Sequence, residues 1–204
     1  MSPAKPTPPS RGAHRTPPPL LLFLQWLLFT TFGVWAGLML GGWLTPRLAG
    51  SLAGNEDRMF AYVVLLSLGV ALGVAQSAAL NRALPEAKGW LRYTLIGFVA
   101  AMLVLALAGL LKLGSAAGLG DDALLLALMG AAIGLGQWLL LRRHFASAWL
   151  WIPAIALGWL VFLLLVASPA ADSNELAVRG AFYGLLGAIP GAAVLAWLSR
   201  RPVS

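Results

Sequence analysis

The chain has no cysteine, only two histidines and only seven acidic residues in 204. The absence of cysteine excludes disulfides and thiolate metal sites. The two histidines, His14 and His144, lie far apart in the sequence and have no acidic neighbours, so they do not form a metal site. No Ser/His/Asp set, HExxH motif or P-loop is recognisable. The sequence therefore predicts no catalytic residues, no metal and no cofactor, and a protein that is not an enzyme.

Charge is also scarce. Charged residues make up 10% of the chain and hydrophobic residues 60%, whereas soluble domains average roughly 25% charged and 45–50% apolar. A net charge of +7 would suit nucleic acid in a soluble protein. Here the basic residues lie in short segments between apolar runs, which favours a lipid bilayer as the partner and argues against nucleic acid.

Six apolar runs follow one another, each long enough for a helix to cross a hydrocarbon core of roughly 30 Å. They predict an all-α integral membrane bundle of six transmembrane helices over residues 20–200. Residues 1–19 hold seven prolines and several basic residues, which predicts a disordered tail. The runs are Leu20–Leu44, Met59–Leu80, Trp90–Leu111, Ala123–Leu141, Trp149–Ala167 and Leu176–Ser199.

Two prolines bear on the helix boundaries. Thr45-Pro46 is predicted to end the first helix, and Pro190 to kink the sixth, because proline lacks the N–H that an interior helical position needs.

The distribution of basic residues predicts the topology. The N-terminal tail, the loops 81–92 and 142–148 and the C-terminus hold ten of the fourteen lysines and arginines. By the positive-inside rule these segments are cytoplasmic, with both termini inside. Four tryptophans flank the same helix ends and are predicted to be interfacial anchors: Trp90, Trp149, Trp151 and Trp197.

The chain contains an internal repeat. Residues 69–106 align with 130–167 without a gap and share 11 identities in 38 positions. The W-x6-G spacing recurs in each odd helix and a G-x3-G-x8-R spacing in each even helix, which predicts three tandem parallel helical hairpins at about 20–82, 90–143 and 149–200. The third copy is aligned through Gly187, Gly191 and Arg200, which places Val194 opposite the glutamines of the other two.

Small residues four apart let helix backbones approach closely, which is how helices associate in lipid. This spacing predicts helix packing at eight glycines: Gly33, Gly37, Gly69, Gly73, Gly130, Gly134, Gly187 and Gly191.

Two groups of polar residues are candidate binding sites. Gln76 and Gln137 occupy equivalent positions on the glycine-lined faces of even helices, where a buried amide acts either as an interhelical hydrogen-bonding group or as a polar ligand site. Thr30, Thr31 and Ser77 would add polarity to such a site. The cluster Arg142, Arg143 and His144 is a candidate contact for anionic lipid headgroups, with a topological role as its alternative.

The segments GAAIGLGQWLLLRR (130–143) and AWLWIPAIALGW (148–159) resemble a repeat found in uncharacterised multi-pass membrane proteins of bacteria. Weaker copies cover most of the chain after residue 20. The resemblance implies a bacterial inner-membrane setting and carries no activity with it.

Three functions are consistent with these features. The leading hypothesis is a non-enzymatic structural, assembly or accessory component that binds lipids, partner membrane helices or further copies of itself. The main alternative is a small-solute or lipid transporter or channel, with its site at a pseudo-threefold axis lined by Gln76 and Gln137. An enzyme acting on lipid headgroups at Arg142, Arg143 and His144 ranks third.

Overall fold

The computed structural model describes residues 18–49, 56–83, 89–110, 119–166 and 173–200, so almost all of the predicted tail lies outside the described residues. Within these ranges the protein is all-helical, as predicted. A 3-10 turn, Ala148–Leu150, precedes the fifth helix. The helices are α1 Pro19–Ala49, α2 Glu56–Ala83, α3 Trp90–Leu110, α4 Leu119–Leu141, α5 Trp151–Val166 and α6 Ser173–Leu198.

Five helices, α1, α2, α3, α4 and α6, are long and apolar enough to cross a membrane, as expected for a multi-pass membrane protein. The fifth, α5, has 16 residues. At 1.5 Å per residue it is about 24 Å long, shorter than a hydrocarbon core of roughly 30 Å. It begins at Trp151, two residues later than the predicted run, because residues 148–150 form the 3-10 turn.

The first helix was predicted to end at Thr45-Pro46. This prediction is wrong, because α1 continues to Ala49. Pro46 supplies no N–H to the Gly42 carbonyl four residues before it, and two side chains bond to the carbonyls on either side of Gly42. The Thr45 hydroxyl donates to the Gly41 carbonyl at 2.8 Å, and the Arg47 guanidinium donates to the Trp43 carbonyl at 2.6 Å. Proline is tolerated inside membrane helices where side chains or neighbouring helices satisfy backbone groups near it. The sixth helix, α6, also continues past its proline, Pro190, to Leu198, and the kink expected there stays a prediction.

Each helix packs against the next one along the chain, and α6 packs against α1, so the six helices form a closed ring. The outer surface of the ring is apolar: Leu28, Leu103, Leu110 and Val178 are each at least 60% exposed. Buried polar side chains, by contrast, lie in the interior. This distribution is suited to lipid, because the apolar exterior would be unfavourable in water.

The interior has two apolar clusters. One, the Trp-end cluster, lies where the odd helices begin and the even helices end; it includes Leu22, Leu80, Leu195 and Leu198. The second lies further along the odd helices and includes Val34, Leu68, Phe98, Ile133 and Trp159. A layer of threonine and glutamine side chains separates them.

Candidate functional site

Three tryptophans, one from each odd helix, meet in the interior of the ring. Trp26, Trp90 and Trp151 are 1%, 0% and 0% exposed. Their ring centroids are 5.2–5.8 Å apart and each pair is edge-to-face, with interplanar angles of 78–87°. Edge-to-face contacts are the favoured aromatic geometry and add about 0.5–1.5 kcal/mol per pair. This tryptophan triad closes the interior at the Trp-end cluster.

The triad corrects one prediction from the sequence. Trp90 and Trp151 were expected to be interfacial anchors, yet both are fully buried. Trp149 is 59% exposed, as an anchor would be, and Trp197 is partly buried against the Trp-end cluster. Hydropathy and position along a helix place a tryptophan at a given depth but do not decide which way it faces.

The two predicted glutamines meet directly beside the triad. The Gln137 amide N–H donates to Gln76 Oε1 at 3.2 Å. The Trp90 indole N–H donates to Gln76 Oε1 at 3.0 Å, and the Trp151 indole N–H donates to Gln137 Oε1 at 2.8 Å. Both glutamines are buried, at 5% and 2% exposure. The sequence placed them at equivalent positions; the fold brings them into contact.

Two threonines complete this polar layer. The Gln76 amide donates to Thr30 Oγ1 at 3.3 Å and the Gln137 amide donates to Thr94 Oγ1 at 3.1 Å. Buried amides in an apolar surrounding need such partners, since an unpaired polar group there costs about 1–3 kcal/mol. The layer therefore links α1, α2, α3, α4 and α5 through hydrogen bonds between side chains.

Thr31 and Ser77, the other two side chains expected to add polarity, are arranged differently. Their hydroxyl oxygens are buried and have no hydrogen-bond partner among the described residues. Neither lines the central cavity. Sequence reasoning did not identify Thr94 or the inward-facing tryptophans. Two signals could have done so: a W-x3-T spacing at Trp26–Thr30 and Trp90–Thr94, and the seven-residue step from each tryptophan to a packing glycine on the same helix face.

All eight glycines predicted to mediate packing lie against a neighbouring helix. At each, an added Cβ would come within 3.5 Å of that helix or of a side chain from it. Two further glycines, Gly97 and Gly158, lie against the backbone of a neighbouring helix. A Cβ on Gly97 would lie 2.7 Å from Ile133 Cα, and one on Gly158 would clash with the Gly187 carbonyl oxygen. These glycines therefore form the seams between helices.

The seams repeat around the ring in a fixed register. An odd-helix glycine faces one residue of the next even helix in the pairs Gly33 with Leu72, Gly97 with Ile133, and Gly158 with Gly187. An even-helix glycine faces one residue of the next odd helix in the pairs Gly69 with Phe98, Gly130 with Trp159, and Gly184 with Val34.

A cavity of about 50 Å³ lies inside the ring, next to the polar layer. One water needs about 10–15 Å³ on this scale, so the cavity has room for a few waters or one very small solute. Apolar side chains from the second cluster line one part of it. The polar part is lined by Trp26, Thr30, Gln76, Gln137 and Gly191.

The predicted lipid-contact cluster lies at the end of the bundle where the Trp-end cluster is found. Arg142 and Arg143 are exposed and His144 is half-buried. The Arg142 guanidinium lies 4.9 Å from the Trp138 ring centroid, and that of Arg143 lies 5.9 Å from the Tyr93 ring centroid. Within the described part of the chain, neither arginine has a carboxylate partner. Among the described residues, no side-chain hydrogen bond joins this cluster to the polar layer.

The described residues include no group of three histidine, cysteine, aspartate or glutamate side chains placed to hold a metal ion. Comparison with protein-family models, with curated proteins and with solved structures gives no match to this chain.

Proposed function

We propose that this chain is a non-enzymatic membrane component with six transmembrane helices, which acts through its outer faces as a structural, assembly or accessory protein. The closed polar layer carries this proposal. Gln76 and Gln137 use their amides on each other and on Trp90, Trp151, Thr30 and Thr94. Side chains committed in this way rigidify a core, and they leave little hydrogen-bonding capacity for a transported solute.

The proposal includes a sixth span and a threefold arrangement. Residues 148–166, counting the 3-10 turn, give nineteen positions, which is within the usual range for a tilted or slightly short span. The recurring seam contacts support three hairpins related by a pseudo-threefold axis through the tryptophan triad. In this arrangement the counterpart of Gly69 and Gly130 is Gly184, three residues before the Gly187 that the sequence alignment favours.

We place the protein in a bacterial cytoplasmic membrane with both termini inside. Ten of the fourteen lysines and arginines lie in the segments assigned to the cytoplasm and four in the opposite loops, which supports this orientation. The resemblance to bacterial multi-pass membrane proteins supports the location. On this topology Arg142 and Arg143 reach the inner leaflet, where exposed guanidinium groups without carboxylate partners attract anionic headgroups.

The alternative is a transporter or channel, and one observation favours it: Gln76 and Gln137 line a central cavity. The tryptophan triad and the leucines of the Trp-end cluster pack together beside that cavity, which supports a closed end there. The two functions therefore differ in whether water reaches the polar layer from either side of the membrane.

The accessibility of single introduced cysteines tests whether water reaches the polar layer. The chain has no cysteine of its own, so no native thiol contributes to the labelling. Thr30 lines the cavity, so in Thr30→Cys the thiol faces the polar layer. We expect a charged, membrane-impermeant thiol reagent to leave Thr30→Cys unmodified in sealed vesicles of either orientation. Labelling from one side, at more than about a tenth of the rate of an exposed thiol, would establish a water-filled path and overturn the sealed-bundle proposal.

The matched control is Ala146→Cys, in the exposed turn between α4 and α5. We expect rapid labelling of this thiol in inside-out vesicles and none in right-side-out vesicles, because the turn follows the Arg142–His144 cluster. The opposite pattern would reverse the proposed topology and place the cluster at the outer leaflet.

A further inference from the structure

The three tryptophans of the triad have different hydrogen-bond partners. Trp90 and Trp151 donate their indole N–H groups to Gln76 and Gln137. Trp26 is 1% exposed and lines the central cavity, and its indole N–H has no hydrogen-bond acceptor among the described residues. Tryptophan N–H groups normally find an acceptor when buried, and the described residues leave this donor beside the cavity unpaired.

The reason lies on α6. Where a tryptophan has its glutamine acceptor, that glutamine lies four residues after the residue that faces an odd-helix glycine. Leu72 precedes Gln76 in this way, and Ile133 precedes Gln137. On α6 the facing residue is Gly187, and four residues later is Gly191.

Gly191 also occupies the corresponding place around the ring. Each glutamine bonds to the tryptophan of the next helix, and the helix after α6 is α1, which carries Trp26. A Cβ on Gly191 would lie 3.3 Å from Trp26 Nε1 and 3.5 Å from the ring of Trp151. Gly191 therefore occupies the position at which the other two hairpins have the glutamines Gln76 and Gln137. Because Gly191 has no side chain, it leaves space in the cavity that it lines.

We propose that this cavity is a binding site for a small neutral guest whose oxygen accepts the Trp26 indole hydrogen bond, either water or a solute of the size of formamide. The cavity volume of about 50 Å³ sets the size limit. The absence of aspartate, glutamate, lysine or arginine from its lining excludes a charged guest, since an unpaired ion is very unfavourable in such a site. The proposal does not depend on the scaffold function, because a neutral molecule this small can enter a sealed bundle during local opening.

Indole N–H resonances of the ¹⁵N-labelled protein in micelles provide the test, with the Trp26 signal identified by its loss in Trp26→Phe. We expect the Trp26 resonance to shift saturably during titration with formamide, while those of Trp90 and Trp151 move at least fivefold less. If water is the resident guest, the Trp26 N–H instead shows magnetisation transfer from water and no saturable formamide shift. A signal that responds to neither, together with a cavity that takes up xenon, would identify a dry apolar void and overturn the proposal.

Two substitutions of Gly191 by side chains of similar size distinguish the effect of a hydrogen bond to Trp26 from the effect of filling the cavity. In Gly191→Gln the new amide replaces the guest, so the formamide or water response of Trp26 should disappear. Gly191→Leu fills the same space without an acceptor. If both fold, the unfolding equilibrium constant of the leucine variant should be larger by about threefold or more, as expected from interhelical hydrogen bonds averaging about 0.6 kcal/mol. Equal stabilities would mean that the Trp26 N–H has no need of an acceptor. If neither variant folds, the titration of the wild-type protein still decides.

Discussion

Replacing Gln137 by leucine should lower the free energy of unfolding by about 2 kcal/mol. The substitution leaves the Trp151 indole N–H without an acceptor in a fully buried position, and it removes the amide donor from Gln76 and Thr94. Gln76 Oε1 keeps its bond from Trp90, so the unpaired Trp151 donor dominates the loss. Equilibrium unfolding in mixed micelles measures the change.

The matched control is Gln25→Leu. Gln25 lies on α1, is half-buried, and its side-chain amide makes no hydrogen bond with the described residues. We expect this substitution to change the free energy of unfolding by less than about 0.5 kcal/mol. Should the two glutamine variants lose the same stability, the polar layer would contribute nothing specific, and its structural role in the proposed scaffold would have to be abandoned.

A double-mutant cycle isolates the bond itself. In Trp151→Phe the indole donor is absent, so adding Gln137→Leu to it should be less destabilising than Gln137→Leu alone, by about 1 kcal/mol. Additive effects would show that the cost arises from packing.

Replacing Gly158 by alanine should destabilise the bundle by about 2 kcal/mol. The new methyl group would clash with the Gly187 carbonyl oxygen, an atom of the α6 backbone that cannot rotate away. Overpacking of this kind costs about 3 kcal/mol, and the higher helix propensity of alanine returns about 1 kcal/mol. Unfolding under the same conditions provides the measurement.

Gly42→Ala is the control for this substitution, because a Cβ on Gly42 would meet no atom within 4 Å. Only helix propensity changes there, so we expect stabilisation by about 1 kcal/mol. If both alanine variants are stabilised, α5 and α6 do not approach as closely as their backbones indicate, and the ring would be open at that seam.

Much of the architecture followed from the sequence because it depends on local properties. Run length and the scarcity of charge predicted the positions of all six helices, although α5 is shorter than the run that predicted it. Glycine spacing predicted positions that do lie at seams, since a missing side chain matters wherever two backbones meet. The choice of Gln76 and Gln137 rested on the same logic, because a buried amide must find partners.

The contacts within the site depended on the rotation and register of whole helices, which no local pattern specifies. Trp90 and Trp151 lie near helix ends, at the position along the helix expected of an interfacial anchor. Their inward direction, toward Gln76 and Gln137, depends on how the six helices pack into a ring. The register of α6 was also undetermined, because its glycines at 184, 187 and 191 allow two alignments three residues apart. The α6 contacts with Val34 and Gly158 favour one of them, which places Gly191 beside Trp26. The sequence by itself thus determined which segments form long apolar helices, whereas the tertiary structure decided which side chains face the interior and which of them meet, because packing of distant segments sets helix rotation.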